Sequence, residues 1–561
     1  MKVRSILLLA LVAIVFQSMA QVQSDKYYVQ FTDKDNSPYS LNNPEEFLTQ
    51  RAIDRRINQG ISYDMRDLPV NPQYLDGVAA TGAQILYPTK WMNGTTIKAI
   101  DASVIDAVEA LPYVSSVTLV TFVSSNNSGN YTEKSFFANE TFSKVKDEKG
   151  LKNVSNIESF DFGDAYNQIN LINGIPLHDA GYRGEGMVIA VLDAGFSQVD
   201  TDLLFDSLRN DGRILGTKDF VYPGGNVYQK HYHGRMVLST MAANIPGLMI
   251  GTAPKASYWL LRSENPEQEY VAEEYNWVSA AEFADSVGVD VINSSLGYTV
   301  FDDPSQNHTY ADMNGNTTVV SRGADIAAAK GILVVNSAGN SGDEAWFYVG
   351  APADGDSVFT IGASDNLGNY VYFSSKGPTS DGRIKPSVTA TGSGTTVSDG
   401  YDGITHGNGT SFSSPIIAGM SACLWQAMPE MSNMEIQDAL MQSASQNNNP
   451  DSLMGWGIPN YEKAWWLLTS IDSNEGKTGN LADIYPNPFS DYVYLKFSDR
   501  YSGSVNIIVY NIMGEVVLSQ SISAPSYKLS FNAFADKMPS GFYVIQLSAD
   551  EKVQTVKLVK R

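Results

Sequence analysis

Two kinds of hydrophobic patterning divide the 561-residue chain. From about residue 158 to 471, short uninterrupted apolar runs recur: "MVIAVLD", "ASYWLLR", "VDVINSSLG", "GILVVNSAG" and "VFTIGAS". A strand with one wet face alternates apolar and polar residues, whereas a strand covered on both faces reads as a continuous run, as in parallel sheets. Segments with helical spacing lie between the runs, among them Tyr275 to Val287 and Gly323 to Lys330. Strand and helix in alternation predict an α/β domain over residues 158–471, doubly wound around a mostly parallel sheet.

The flanking regions pattern differently. Residues 21–123 mix strand-like stretches ("YYVQFT", "VSSVTLV") with helix-like ones (Pro44 to Gln59, Asp101 to Ala110), and Asn93-Gly94 marks a hairpin turn. They predict a small α+β domain. Residues 124–157 are rich in Ser, Asn, Lys and Glu and read as an exposed linker, the kind of segment proteases cut. A second polar linker, 472–479, precedes residues 480–561, where alternating strands such as "YVYLKF" and "FYVIQLS" predict an all-β sandwich. Residues 1–20 place Lys2 and Arg4 before an apolar stretch and end in Ser18-x-Ala20, the layout of a secretory signal peptide. That apolar stretch is too short to span a bilayer.

Charge and cysteine narrow the class. With 38 Lys+Arg against 61 Asp+Glu, the formal net charge of -23 repels phosphate backbones and argues against nucleic-acid binding. The single cysteine, Cys423, excludes an intramolecular disulfide. It lies among Met420, Leu424 and Ala427 at helical spacing and reads as a core thiol.

Reactive groups in α/β domains gather where the strands end. Asp193 ends "MVIAVLD", Asn340 follows "GILVVNSAG", and His233 heads "HGRMVLSTMAAN". Ser411 joins a glycine-rich loop to an apolar helix in "HGNGTSFSSPIIAGMSACLW". A hydroxyl there caps the helix, or it is a nucleophile if a base, an orienting acid and an anion-stabilising donor exist elsewhere. Histidine titrates near neutral pH and suits the base. A buried carboxylate fixes its tautomer. The Asn340 side chain and the Ser411 backbone N–H are suited to donate to an oxyanion. Two competing readings fail. His231 and His233 lack a third ligand at metalloprotease spacing, and "GYRGEG" at Gly181 to Gly186 precedes its strand, so it reads as a turn rather than a dinucleotide loop.

Six segments, "VIAVLDAGF", "HGRMVLSTMAAN", "NSSLG", "NSAGNSG", "FSSKGP" and "GTSFSSP", stand in the order found in subtilisin-like serine proteases, and the chain resembles that family over roughly residues 175–470. The resemblance implies a subtilisin-like fold and a secreted serine endopeptidase made as a zymogen. Carried over, Asp193 orients, His233 is the base, Ser411 attacks and Asn340 donates to the oxyanion. Ser295, Leu296, Gly297, Ala338 and Gly339 would line the substrate cleft. The chemistry calls for no cofactor, and metal sites, structural calcium included, are not legible. Arg235, Phe412-Ser413 and "KPSVTATG" depart from the family pattern and bear on substrate preference. Glu264, Glu267, Glu269, Glu273 and Glu274 follow "YWLLR" and suggest either a taste for basic residues upstream of the cut or a solvated helix face.

The outer blocks carry likenesses too. The first resembles a prodomain that assists folding and plugs the cleft as an intramolecular inhibitor. Its last strand, near "VSSVTLVTFV", is expected to add to the Ser295–Gly297 edge, with release by cleavage between Phe122 and Ile157. The last resembles the sorting domain of type IX secretion cargo in Gram-negative bacteria, on "YPNPF", "VYNIMGEVV" and "MPSGFYVIQL". The implied partners are protein or peptide substrates, the chain's own prodomain and the type IX machinery. The implied destination is the cell surface or the medium, by way of the periplasm, with no transmembrane anchor. A catalytically silent scaffold used for surface binding is the alternative.

Overall fold

The computed structural model describes residues 25–121, 137, 140–144 and 161–471, and in the C-terminal part 481–485, 492–497, 504–511, 514–523, 526–530, 539, 541–549 and 552–560. The signal-peptide segment and the linker 472–479 lie outside the described residues. The chain divides into two compact units, Met1–Tyr461 and Glu462–Arg561.

The first unit is built on a seven-stranded sheet, ordered Val388–Thr391, Phe359–Ser364, Leu333–Ser337, Val291–Ser294, Val188–Asp193, Ser257–Arg262, Ile214–Asp219. Every neighbouring pair is parallel. The continuous apolar runs have their cause here, since all residues of Val188–Asp193 and of Phe359–Ser364 are buried. Ala190, Leu192, Ile292 and Val334 pack with Trp277 and Ala281 of the helix Ala272–Val287 and with Val320 and Ala324 of the helix Val319–Ala329. The helix Thr410–Ala427, buried from Thr410 to Trp425, packs against the strands Val291–Ser294, Leu333–Ser337 and Phe359–Ser364. From Val188–Asp193 the chain runs to one edge of the sheet, returns, and crosses to Val291–Ser294 on the other side. That reversal opens a crevice beyond the ends of the two central strands, at Asp193 and Ser294.

The N-terminal block is a four-stranded antiparallel sheet, ordered Gln84–Thr89, Gly94–Lys98, Lys26–Phe31, Val114–Thr121. Val29, Phe31, Val78, Ile97, Val104 and Val108 form its core. The hairpin turns at Asn93-Gly94 as its sequence predicts; a Cβ at Gly94 would meet the Tyr28 hydroxyl at 2.3 Å, so only glycine fits. Asp101 caps the helix Ala102–Glu109 by accepting from the Ser103 and Val104 N–H groups. The block docks on the helix Ala272–Val287, where Tyr28 stacks on Tyr275 at 3.9 Å.

Two expectations are corrected. Val114–Thr121 pairs with Lys26–Phe31 inside the block's own sheet, and among the described residues no ladder joins it to Ser295–Gly297. Instead Thr141–Lys144 pairs antiparallel with Ile404–Asn408. This strand comes from the stretch that read as an exposed linker, and Phe137 and Glu140 beside it are 3% and 8% exposed. Polar composition averaged over that stretch conceals the few residues that another part of the molecule covers. Two sequence readings stand as made. Cys423 is fully buried, its Sγ donating to the Thr252 carbonyl at 3.1 Å, and Gly181, Gly184 and Gly186 turn at positive φ ahead of their strand.

The second unit holds two antiparallel sheets, one three-stranded and one four-stranded. Burial alternates along Ser504–Asn511 and Gly541–Ala549. Their inward residues Val505, Ile507, Ile545 and Leu547 share a core with Val493 and Leu495 of the other sheet, as expected for a sandwich.

Candidate active site

Four of the sequence-predicted residues meet at the crevice. Asp193 ends the central strand, fully buried. His233 opens the helix His233–Ala242, and its Nδ1 donates to Asp193 Oδ1 and Oδ2 at 2.8 and 2.9 Å. Gly234 makes this approach feasible, because a Cβ there would sit 2.4 Å from the Gly195 carbonyl and 2.9 Å from Asp193 Cβ. Ser411 lies in the first turn of the helix Thr410–Ala427, whose Phe412 ring is 6.0 Å from the His233 ring. Asn340 reaches the same turn, its Oδ1 accepting from Thr410 N at 2.8 Å and Thr410 Oγ1 at 2.9 Å. With Oδ1 committed, Asn340 presents its Nδ2, which is buried and bonded to nothing among the described residues, as is the Ser411 hydroxyl.

The expected cleft residues come from neighbouring strand ends. Ser295 Oγ donates to the Ser411 carbonyl at 2.8 Å, and the Leu296 carbonyl accepts from Asn336 Nδ2 at 3.1 Å. Gly297 follows, half-buried. Across the crevice, Ala338 is buried, and Gly339 N donates to Thr410 Oγ1 at 3.2 Å. Thr410 thus ties the Ala338–Asn340 loop to the start of the serine helix, a link the sequence did not disclose.

The sequence reading also missed Glu140. His233 Nε2 does not meet Ser411; it donates to Glu140 Oε1 at 3.1 Å. The Phe137 ring lies 4.7 Å from the imidazole. Burial alone would lower the His233 pKa, but the carboxylates of Asp193 and Glu140 raise it to about 10. The one sequence signal was a carboxylate among Phe136, Phe137 and Phe142 in an otherwise polar stretch.

The departures from the family pattern find structural places. Arg235 NH1 donates to Ser197 Oγ and Gln198 Oε1, tying its helix to the loop after Asp193. Phe412 is buried, and Lys385 Nζ donates to the Val358 carbonyl at 2.6 Å. The five glutamates divide. Glu264, Glu269 and Glu273 bring carboxylate oxygens within 4.8 Å of one another. Glu264 accepts from the Tyr298 hydroxyl at 2.7 Å and Glu273 from Asn265 N at 2.6 Å. Glu274 is bound elsewhere, to His308 and Val320 N, and Glu267 is exposed.

Comparison with known proteins gives three adjacent matches. The model described as "Subtilase family" matches residues 184–457. The "Peptidase S8 propeptide domain, Bacteroidota" matches 26–135, and the "Secretion system C-terminal sorting domain" matches 483–561. Residues 136–183 lie between the first two. Subtilisin DY of Bacillus licheniformis is 31% identical over 300 residues, 52% of this chain and 97% of that protein. Subtilisin E of Bacillus subtilis (strain 168) is 28% identical over 354 residues, 60% of this chain and 83% of that protein. The sorting domain marks the chain for secretion or attachment at the cell surface, and among the described residues no helix is long and apolar enough to cross a membrane.

Proposed function

The chain belongs to the subtilase family of serine endopeptidases, and we propose that Ser411, His233 and Asp193 are its catalytic triad, with Asn340 and the Ser411 N–H as oxyanion donors. Once the cleft is free, His233 Nε2 takes the Ser411 proton as Oγ attacks the scissile carbonyl of a protein or peptide held along Ser295–Gly297. Asp193 keeps the imidazole in the tautomer that leaves Nε2 open and stabilises the cation that forms. The tetrahedral oxyanion then meets Asn340 Nδ2 and the first N–H groups of the serine helix, where the helix dipole adds positive potential. His233 returns its proton to the leaving amine, and water repeats the cycle on the acyl-enzyme. The chemistry needs no metal or other cofactor. The N-terminal block serves as the intramolecular inhibitor, and the type IX machinery as the route out of the periplasm.

One observation carries this reading: buried Asn340 commits its Oδ1 to Thr410 and leaves Nδ2 with no partner among the described residues, like the Ser411 hydroxyl beside it. A silent scaffold has no use for two buried donors without acceptors, which cost about 1–3 kcal/mol each. Ser411→Ala in the mature enzyme should lower turnover of a peptide substrate by about 10⁶, the scale found for the subtilisin triad. Asn340→Ala should lower kcat by about 10²–10³ with KM little changed, again the subtilisin scale, because the lost donor acts only in the transition state. Near-normal hydrolysis by Ser411→Ala would sink the triad assignment, whereas a mature wild-type chain that cleaves no peptide would return it to the silent-scaffold reading.

A further inference from the structure

Both ring nitrogens of His233 face carboxylates: Nδ1 faces Asp193 at 2.8 Å and Nε2 faces Glu140 at 3.1 Å. An ionised carboxylate only accepts hydrogen bonds, so each nitrogen holds a proton and the ring is an imidazolium. A general base needs a free lone pair, and this ring has none. Among the described residues, the aromatic rings against it are those of Phe137, Phe412 and His231, at 4.7, 6.0 and 6.4 Å. The Glu140 side chain also fills the space over Gly409, where a Cβ would come within 2.9 Å of its Oε1.

The segment carrying Glu140 is firmly held. Its strand Thr141–Lys144 pairs with Ile404–Asn408, and the pairing is reinforced by Asn408 Nδ2 donating to Thr141 Oγ1 at 2.7 Å and Thr405 Oγ1 to the Ser143 carbonyl at 3.0 Å. Glu140 N lies outside this ladder and donates back to the Phe137 carbonyl at 3.1 Å. A peptide bound by strand addition gives its backbone groups to the host edge, so this bond marks the segment as a plug rather than a substrate. It falls in the stretch between the propeptide and subtilase matches.

We propose that Glu140 is a zymogen latch: its carboxylate, seated between His233 and Gly409, holds the catalytic base in its protonated form, so the uncut chain neither cuts itself at this segment nor turns over substrate until residues 140–144 leave the cleft. The proposal rests on the triad reading above. It separates charge from bulk. A steric plug works at any ionisation state of His233, whereas the latch acts through the proton on Nε2.

The test is labelling of the full-length precursor by a fluorophosphonate probe across pH 6 to 10. In that reaction the Ser411 Oγ–P bond forms, fluoride leaves, and the serine proton goes to His233. With His233 raised to about 10, the protonated state persists through neutral pH and is lost as pH rises through that value. The wild-type precursor should therefore label slowly until strongly alkaline pH. Glu140→Ala should label at least about tenfold faster at pH 7.5, with a rate that rises through the ordinary histidine range. Glu140→Gln, which keeps the volume and loses the charge, should follow the same pH profile at a lower rate. If both variants label no faster than wild type, or rise only at the same alkaline pH, the segment blocks by bulk and the latch is wrong. Thermal melting checks that each precursor is folded, and Glu140→Asp, which keeps the charge one methylene shorter, should fall between wild type and Glu140→Ala. The mature wild-type enzyme is the reference. If it labels no faster than Ser411→Ala, the triad reading itself fails, whatever Glu140 does.

Discussion

The catalytic domain carries two buried charged sites that the N-terminal region completes, and they are completed in opposite ways. At His233 the domain supplies one carboxylate, Asp193, and the connecting segment supplies the other, Glu140. At Asp285, on the helix Ala272–Val287, the carboxylate belongs to the domain and the cations come from the N-terminal block. Arg55 NH2 lies 2.5 Å from Oδ1, Arg56 NH2 2.9 Å from Oδ1, and Lys90 Nζ 3.1 Å from Oδ2. Burial would raise the Asp285 pKa, yet Lys90, Arg55 and Arg56 together hold it well below the usual carboxylate range. On the triad reading proposed above, departure of the N-terminal region leaves His233 with Asp193 alone and able to act as base, whereas Asp285 loses every cation it has among the described residues. One site is arranged to be vacated, the other to resist vacating. Holding the inhibitor and disabling the chemistry are therefore separable tasks done by separate residues.

The comparison breaks most visibly at Arg56. Its guanidinium is fully buried between Asp285 and Asp67. Removing one partner of a buried ion pair costs about 3–5 kcal/mol because the other charge stays behind. Arg56→Met should thus speed release of the N-terminal block by about 10²–10⁴, read as the rate at which peptidase activity appears once the connecting segment has been cut. Turnover of the released enzyme should not change, since the residue has departed with the block. Unchanged release would mean that the docking strength lies elsewhere.

The same contrast explains what the sequence could disclose. The parallel sheet was legible because both faces of Val188–Asp193 are covered, which leaves a continuous apolar run. Asp193, Asn340 and Ser411 were legible because each ends a patterned run or begins one. The hairpin at Asn93-Gly94 was legible because its cause is local. The Arg56–Asp285 pair was not, because its members stand 229 residues apart and nothing near either names the other. Glu140 was hidden for a related reason. The strand Thr141–Lys144 exists because the edge at Ile404–Asn408 pairs with it, and no periodicity in four polar-flanked residues announces that. Val114–Thr121 looked equally suited to the cleft, but its bonds go to Lys26–Phe31.

A weaker effect should separate the two sites by pH. Glu282 lies one helical turn before Asp285 and accepts from the N–H groups of Lys90 and Trp91 at 2.7 and 2.9 Å. Burial pushes its pKa up to about 7, against the lowering influence of Lys90 and of those N–H groups. In the released enzyme, water returns and the value falls to the ordinary one near ~4.3. A group whose pKa is raised in the docked state favours docking while protonated, and that contribution is lost as pH rises through about 7. Release should accelerate by up to about tenfold per pH unit between roughly pH 5 and 7, and Glu282→Gln should flatten the profile. The latch at His233 should persist far above this range. A release rate flat in pH, or rising toward acid, would contradict the assignment.

The smallest effect belongs to Arg51, and it sharpens the comparison by testing burial itself. Its guanidinium bonds Asp290 and the Gly186 carbonyl, and its Nε donates to the Gly288 carbonyl at 2.8 Å. On paper this is as well bonded as Arg56. The difference is solvent: the Arg51 side chain is 41% exposed, that of Arg56 0%. An exposed pair is screened and yields at most about 1 kcal/mol, and Asp290 retains the Val188 N–H at 2.8 Å when the arginine is gone. Arg51→Ala should therefore speed release by less than about fivefold. Half-molar salt should erase most of that difference while leaving the Arg56→Met effect nearly intact, because the Debye length shortens in water and not in the buried interface. If Arg51→Ala matched Arg56→Met, the number of hydrogen bonds rather than their burial would set the docking strength, and the contrast drawn between the two charged sites would lose its physical basis.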